Sequence, residues 1–160
     1  MNELEKAIEL RQSGKLEEAK SLLFDLIAQD PKNPSVWYQC AWVHDAAGQE
    51  REAVPFYQKA LELGLQGEER QGALLGLGST YRTLGMYQQS EKIFEEAIKE
   101  YPESKEYQVF LAMVKYNLKE HNAAMEILLS LLAETSSDKG IQTYRRAIQF
   151  YSNKLDQVWE

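Results

Sequence analysis

Cys40 and His44 are the residues whose types and spacing first suggest chemistry. They are the chain's only cysteine and one of its two histidines, four residues apart in "YQCAWVHD" (38–45). On a helix that spacing puts both on one face, as a thiolate–imidazole pair or half of a metal site would require. A nucleophilic thiol also needs a lowered pKa and access, and a structural zinc site needs four ligands. His121, far along the chain, is the only further residue of either type. The stretch "GALLGLGST" (72–80) has the glycine density of a phosphate-cradling loop but lacks the lysine of a Walker motif. Acidic runs such as "LEEAK" and "IFEEAIKE" have lysines nearby, the pattern of a solvated helix face and not of an acid–base couple. The expectation is a chain that is not an enzyme, with no metal site and no cofactor.

The elements that carry these residues are bounded by length and composition. A chain of 160 residues, 44% hydrophobic and 27% charged, is enough for one domain around one core. The formal net charge of −7 argues against nucleic acid, whose binding rests on clustered lysine and arginine. The densest basic spot, "TYRRAIQFY" (143–151), holds only Arg145 and Arg146. No run approaches the roughly 18 apolar residues of a membrane span, and "MNELEKAIEL" is not a secretory leader. A single cysteine is compatible with a reducing compartment, so the expected setting is cytoplasmic, away from membranes.

Strand signals are scarce, while apolar residues recur every three or four positions almost throughout. Gly14, Gly48 and Gly85 each separate two amphipathic segments, with steps of 34 and 37 residues. Periods in that range call for a search for repeats. "KLEEAKSLLFDLIAQDP" (15–31), "QEREAVPFYQKALELGL" (49–65), "MYQQSEKIFEEAIKEYP" (86–102) and "EHNAAMEILLSLLAETS" (120–136) align without gaps. A small residue leads each (Ala19, Ala53, Ser90, Ala124), and a bulky one follows four later (Leu23, Tyr57, Phe94, Leu128).

Leu74, Leu77, Gly78 and Tyr81, then Ser90, Phe94 and Pro102, resemble the tetratricopeptide pattern W-x₂-L-G-x₂-Y…A-x₃-F…P. Trp37, Cys40, Ala41 and His44, then Ala53 and Tyr57, fit it with two substitutions. The resemblance covers roughly 3–136, and 38–87 is also similar to a family of small single-domain bacterial tetratricopeptide proteins. It implies an all-α solenoid of four helix–turn–helix repeats, at about 1–33, 34–67, 71–104 and 105–137, within a single domain 1–160. Residues 138–160 then read as a ninth, capping helix with Ile141, Tyr144, Ile148, Tyr151, Leu155 and Trp159 along one stripe. Small residues at Ala41, Gly78 and Ala112 let paired helices approach, and Trp37, Tyr57, Leu77, Tyr81 and Phe94 fill the space between them. Cys40 holds the apolar slot of Leu77 and Leu111, and His44 that of Tyr81, which makes both packing residues. Two irregularities remain. "GLQGEERQ" (64–71) adds three residues, expected as a longer loop, and Pro55 should bend its helix or shift its start.

The resemblance also implies a concave face, lined by first helices, that holds a peptide or partner helix. Offsets of +1, +5 and +8 from the first motif position turn about 80–140° from the packing face. They select Tyr38, Trp42 and Asp45; then Leu75, Ser79 and Arg82 with Thr83; then Val109, Met113 and Tyr116 with Asn117. The first helix adds Leu4, Ile8 and Arg11, and the last Arg145 and Gln149. Tyr38 and Trp42 are expected as an exposed aromatic pair one turn apart, the alternative being that they pack between neighbouring first helices. Arg11, Arg82 and Arg145 could meet carboxylates bidentately, suiting a peptide of mixed apolar and acidic character. The carboxylate clamp known from such repeats uses lysine and asparagine near the first helix, where this chain has Leu4 and Ile8. The other function in view is a self-associating structural module, a homodimer paired through Leu155, Val158 and Trp159.

Overall fold

The computed structural model describes all residues, Met1–Glu160, and is built of ten α-helices without a strand. They are α1 (Glu3–Gln12), α2 (Leu16–Gln29), α3 (Pro34–Ala46), α4 (Glu50–Glu62), α5 (Gly67–Thr83), α6 (Tyr87–Glu100), α7 (Glu106–Asn117), α8 (His121–Thr135), α9 (Lys139–Thr143) and α10 (Arg145–Tyr151). Contacts divide the chain into two compact units, Met1–Met86 and Tyr87–Glu160.

Local chemistry sets the helix ends. Asn2 caps α1 by accepting from the Glu5 N–H at 2.8 Å, while the Glu5 carboxylate accepts from the Asn2 N–H at 2.9 Å. Asn33 caps α3, which starts on Pro34, where a missing N–H costs nothing. One turn recurs after α1, α3, α5 and α7. Gly14, Gly48 and Gly85 adopt φ of +80, +72 and +76°, and the next N–H reaches back to the carbonyl five residues before it. Lys119, at φ 68°, holds the same slot after α7 without glycine's freedom.

In the first unit, α1 packs on α2, α2 on α3, α3 on α4, and α4 on α5, with the first helices α1, α3 and α5 side by side. Ala7, Ala19, Leu23, Val36, Cys40 and Val43 form its core cluster, flanked by Leu4, Leu26 and Phe56. The added residues before α5 are not a longer loop. They extend the helix, which begins at Gly67 and is the longest in the chain, because Glu68 and Glu69 suit a helix N-terminus. Helix α4 starts at Glu50 and runs unbroken through Pro55. The proline is exposed and removes one N–H, leaving the Arg51 carbonyl, also on an exposed residue, to water.

In the second unit, α6 packs on α7, α7 on α8 and α10 on α8. Phe94 and Tyr107 are its largest fully buried side chains. The expected single capping helix is two short ones, broken at Tyr144, and regular structure ends at Tyr151. The break coincides with a contact to α8. Arg145 donates from Nε to the Ala133 carbonyl at 3.0 Å, satisfying an oxygen in the last turn of α8. Trp159 lies beyond the end of α10, outside any helix, and folds back to ring distances of 6.3 Å from Phe150 and 5.5 Å from Tyr151.

Candidate functional site

Helix α3 carries the centre of the candidate site in the first unit. Tyr38 and Trp42, one turn apart, stack with centroids 5.7 Å apart and planes at 22°. They are not an exposed pair: Trp42 is 41% exposed, Tyr38 only 7%. Tyr38 is covered because α5 offers a glycine opposite it. A Cβ at Gly72 would collide with the Tyr38 hydroxyl, and one at Gly76 would come within 2.5 Å of the Tyr57 hydroxyl. Gly72 and Gly76 are four residues apart, so they share a helix face that receives two tyrosines from the α3–α4 hairpin. Sequence reasoning missed both, although their spacing was visible in "GALLGLGST".

Asp45 ties three helices together. It accepts from the Tyr57 hydroxyl at 2.6 Å and from the Thr80 hydroxyl at 2.9 Å. Burial pushes its carboxyl above the ordinary range, while those two hydrogen bonds pull the other way. Burial likewise pushes the Tyr57 hydroxyl far upward, so it remains a donor at neutral pH. Asp45 is thus engaged inside the protein. Leu75, Ser79 and Arg82 on α5, and Leu4, Ile8 and Arg11 on α1, are half-buried.

Arg11 reaches across from α1. Its guanidinium lies 3.7 Å from the Trp42 ring centroid, and its Nε donates to Gln39 Oε1 at 3.3 Å. Cation–π contact and stacking together fix Trp42 in place with much of its surface open to solvent.

The second unit holds the rest of the expected residues. On α7, Met113 and Tyr116 are exposed, Val109 and Asn117 half-buried, and the Tyr116 ring is 5.0 Å from His121. Arg145 and Gln149 are exposed on α10, with Arg145 partly engaged at the end of α8.

Cys40 and His44 form no reactive pair. Cys40 is fully buried, and burial pushes its thiol up to about 12, the opposite of what a nucleophile needs. His44 Nδ1 lies 2.6 Å from the Cys40 carbonyl oxygen, and the ring stacks on Phe56 at 4.7 Å. No three histidine, cysteine, aspartate or glutamate residues group as metal ligands, and no helix is long and apolar enough to cross a membrane.

Helical hairpins with small residues at their crossings and a glycine turn joining the two helices are the repeat that the sequence resembled. A family model described as "Tetratrico peptide repeat" matches residues 34–155. The chain belongs to the tetratricopeptide repeat family. No functionally curated protein matches it. Among solved structures, this tetratricopeptide chain is similar to nearly identical TPR-like repeats from Podosopora anserina, at 19% identity and TM-score 0.71, covering 96% of this chain and 84% of that one. It is also similar to MamA from Desulfovibrio magneticus RS-1, at 14% identity and TM-score 0.73, covering 97% and 89%. A third is YrrB, described as a TPR protein with an unusual peptide-binding site, at 14% identity and TM-score 0.64, covering 98% and 91%. At these identities the likeness is one of fold, and it is the fold of tetratricopeptide solenoids.

Proposed function

We propose that this tetratricopeptide chain is a non-enzymatic, cytoplasmic protein-interaction module that binds a peptide or helix of a partner protein in the groove lined by α1, α3 and α5. The observation that carries this reading is Trp42, a rigidly held tryptophan with 41% of its surface open beside a guanidinium. Tryptophan and arginine dominate binding hot spots, and a side chain already fixed loses little entropy on binding. The peptide-binding site named for YrrB, a protein of like fold, supports the same reading. In the second unit Met113 and Tyr116 are exposed on α7, and we keep them with Val109, Asn117, Arg145 and Gln149 as binding candidates.

The test uses a library of short random peptides selected on the folded chain and on its Trp42→Ala variant. Trp42→Ala should weaken the peptides selected on the wild type by on the order of 2 kcal/mol, roughly thirtyfold, with helicity unchanged. Loss of helicity would move Trp42 into the core, and unchanged affinity would remove it from the site.

A second reading has its own observation. Phe150, Tyr151 and Trp159 form an exposed aromatic cluster with centroids 5.1–6.3 Å apart, and Leu155 and Val158 beside them are exposed too. Such a patch suits a homodimer paired about a two-fold axis. Sedimentation equilibrium should then show a dimer that Trp159→Glu abolishes. A strict monomer dismisses it.

A further inference from the structure

Arg11 has lost water without gaining a carboxylate. Burial lowers its pKa, and the ionisable groups that act on it most are the Tyr38 and Tyr57 hydroxyls. It belongs to none of the chain's ion pairs, although acidic residues outnumber basic ones by 25 to 18. Its Nε is used by Gln39, and Trp42 lies under the guanidinium. The terminal Nη1 and Nη2 groups have no hydrogen-bond partner within the protein. A guanidinium held this way is a planar fork with its donating edge free and its orientation already set. Arg145 also uses its Nε, on a carbonyl of α8, but it is exposed, whereas Arg11 is half-buried and has a tryptophan ring under its guanidinium.

We infer that Arg11 and Trp42 form one anchor, in which the Arg11 fork takes a single aspartate or glutamate side chain of the partner peptide and Trp42 takes the apolar side chain beside it. This rests on the groove reading above. Charge complementarity is local: Arg11, half-buried and outside the chain's ion pairs, sits in a chain of net charge −7, so an acidic run in the peptide would be repelled where one carboxylate is welcomed. The carboxylate is a side chain and not the peptide terminus, because the α1 residues on the same face as Arg11 are the apolar Leu4 and Ile8, which add no second cation to hold a terminus.

The experiment takes the strongest binder from the random-peptide selection as a synthetic peptide blocked at both ends. It also takes the same peptide with its acidic residue changed to the amide, and a third form with a free C-terminal carboxylate. Affinities are measured by calorimetry for wild type, Arg11→Gln and Arg11→Lys, each checked for an unchanged melting temperature. The inference expects selected peptides to carry one acidic residue next to an aromatic or aliphatic one. Arg11→Gln should weaken the acidic peptide by about tenfold or more and the amide peptide hardly at all, with Arg11→Lys between. That non-additivity is a signature a purely structural role for Arg11 cannot produce. Equal losses for both peptides, or binders without an acidic residue, overturn the anchor while leaving a Trp42-dependent groove intact. A free-carboxylate peptide that binds tighter, with the excess lost in Arg11→Gln, overturns the side-chain assignment. If the wild type selects no peptide, or Trp42→Ala binds the same ones equally well, the groove reading fails and the anchor falls with it.

Discussion

Phe94 and Leu128 hold the same repeat position, four residues after the small Ser90 and Ala124, yet Phe94 is 0% exposed and Leu128 40%. Phe94 is covered by α7, where Phe110 lies 5.9 Å from its ring. Leu128 is followed by a broken pair of short helices that leaves it, Met125 and Leu132 open along one stripe of α8. Tyr57, at the same position in the first unit, is covered by α5 because Gly76 makes room for its ring. A repeat position prescribes an apolar side chain. Burial is decided by the helix that comes next.

The largest test of this contrast compares two truncations in one unit. Phe94→Ala should cost about 3–5 kcal/mol in urea unfolding, as for a fully packed aromatic, while Leu128→Ala should cost only about 1 kcal/mol. Equal losses would mean that Leu128 is covered in solution. Gly72→Ala probes the covered side from the other helix. The added methyl meets the Tyr38 hydroxyl, so it should destabilise by about 1–3 kcal/mol despite alanine's better helix propensity. Tyr38→Phe in the same chain should recover part of that loss, and no recovery would place the strain elsewhere.

The smallest effect is electrostatic and belongs to Asp45. Its carboxyl is raised in the folded chain above the ordinary 3.8, mainly by burial, so the folded state holds the proton more tightly than the unfolded state. The stability that protonation confers is complete below that ordinary value and is lost as pH rises through the folded pKa. Asp45→Asn cannot ionise, so its urea midpoint should gain on the wild type across that window and hold level above it. A gap that moved toward the wild type with rising pH would show the Tyr57 and Thr80 hydrogen bonds outweighing burial.

The repeats were legible because small and bulky residues recur at fixed offsets, and the packing roles of Cys40 and His44 followed from the alignment alone. The all-α class and the tetratricopeptide family followed from the same residues. What the periodicity could not supply was the partner of each face. Tyr38 is buried and not exposed as expected, because its cover depends on Gly72, more than thirty residues away on another helix. The break at Tyr144 coincides with a hydrogen bond from Arg145 to a carbonyl at the end of α8, a contact that no stripe of apolar residues encodes. Trp42 stays exposed as expected, yet Arg11 over its ring was visible only in three dimensions.

The three tryptophans offer the most direct measurement of the central claim. Trp37 is tied by its indole N–H to the Pro31 carbonyl at 2.9 Å, Trp42 opens onto the candidate groove, and Trp159 sits in the C-terminal aromatic cluster. Their indole nitrogens should be followed by NMR, in nitrogen-15-labelled protein, as the best selected peptide is titrated in. The groove account predicts that the Trp42 signal shifts and saturates with binding while those of Trp37 and Trp159 stay in place. A shift confined to Trp159, with Trp42 unmoved, would contradict it and put the binding surface at the C-terminal segment.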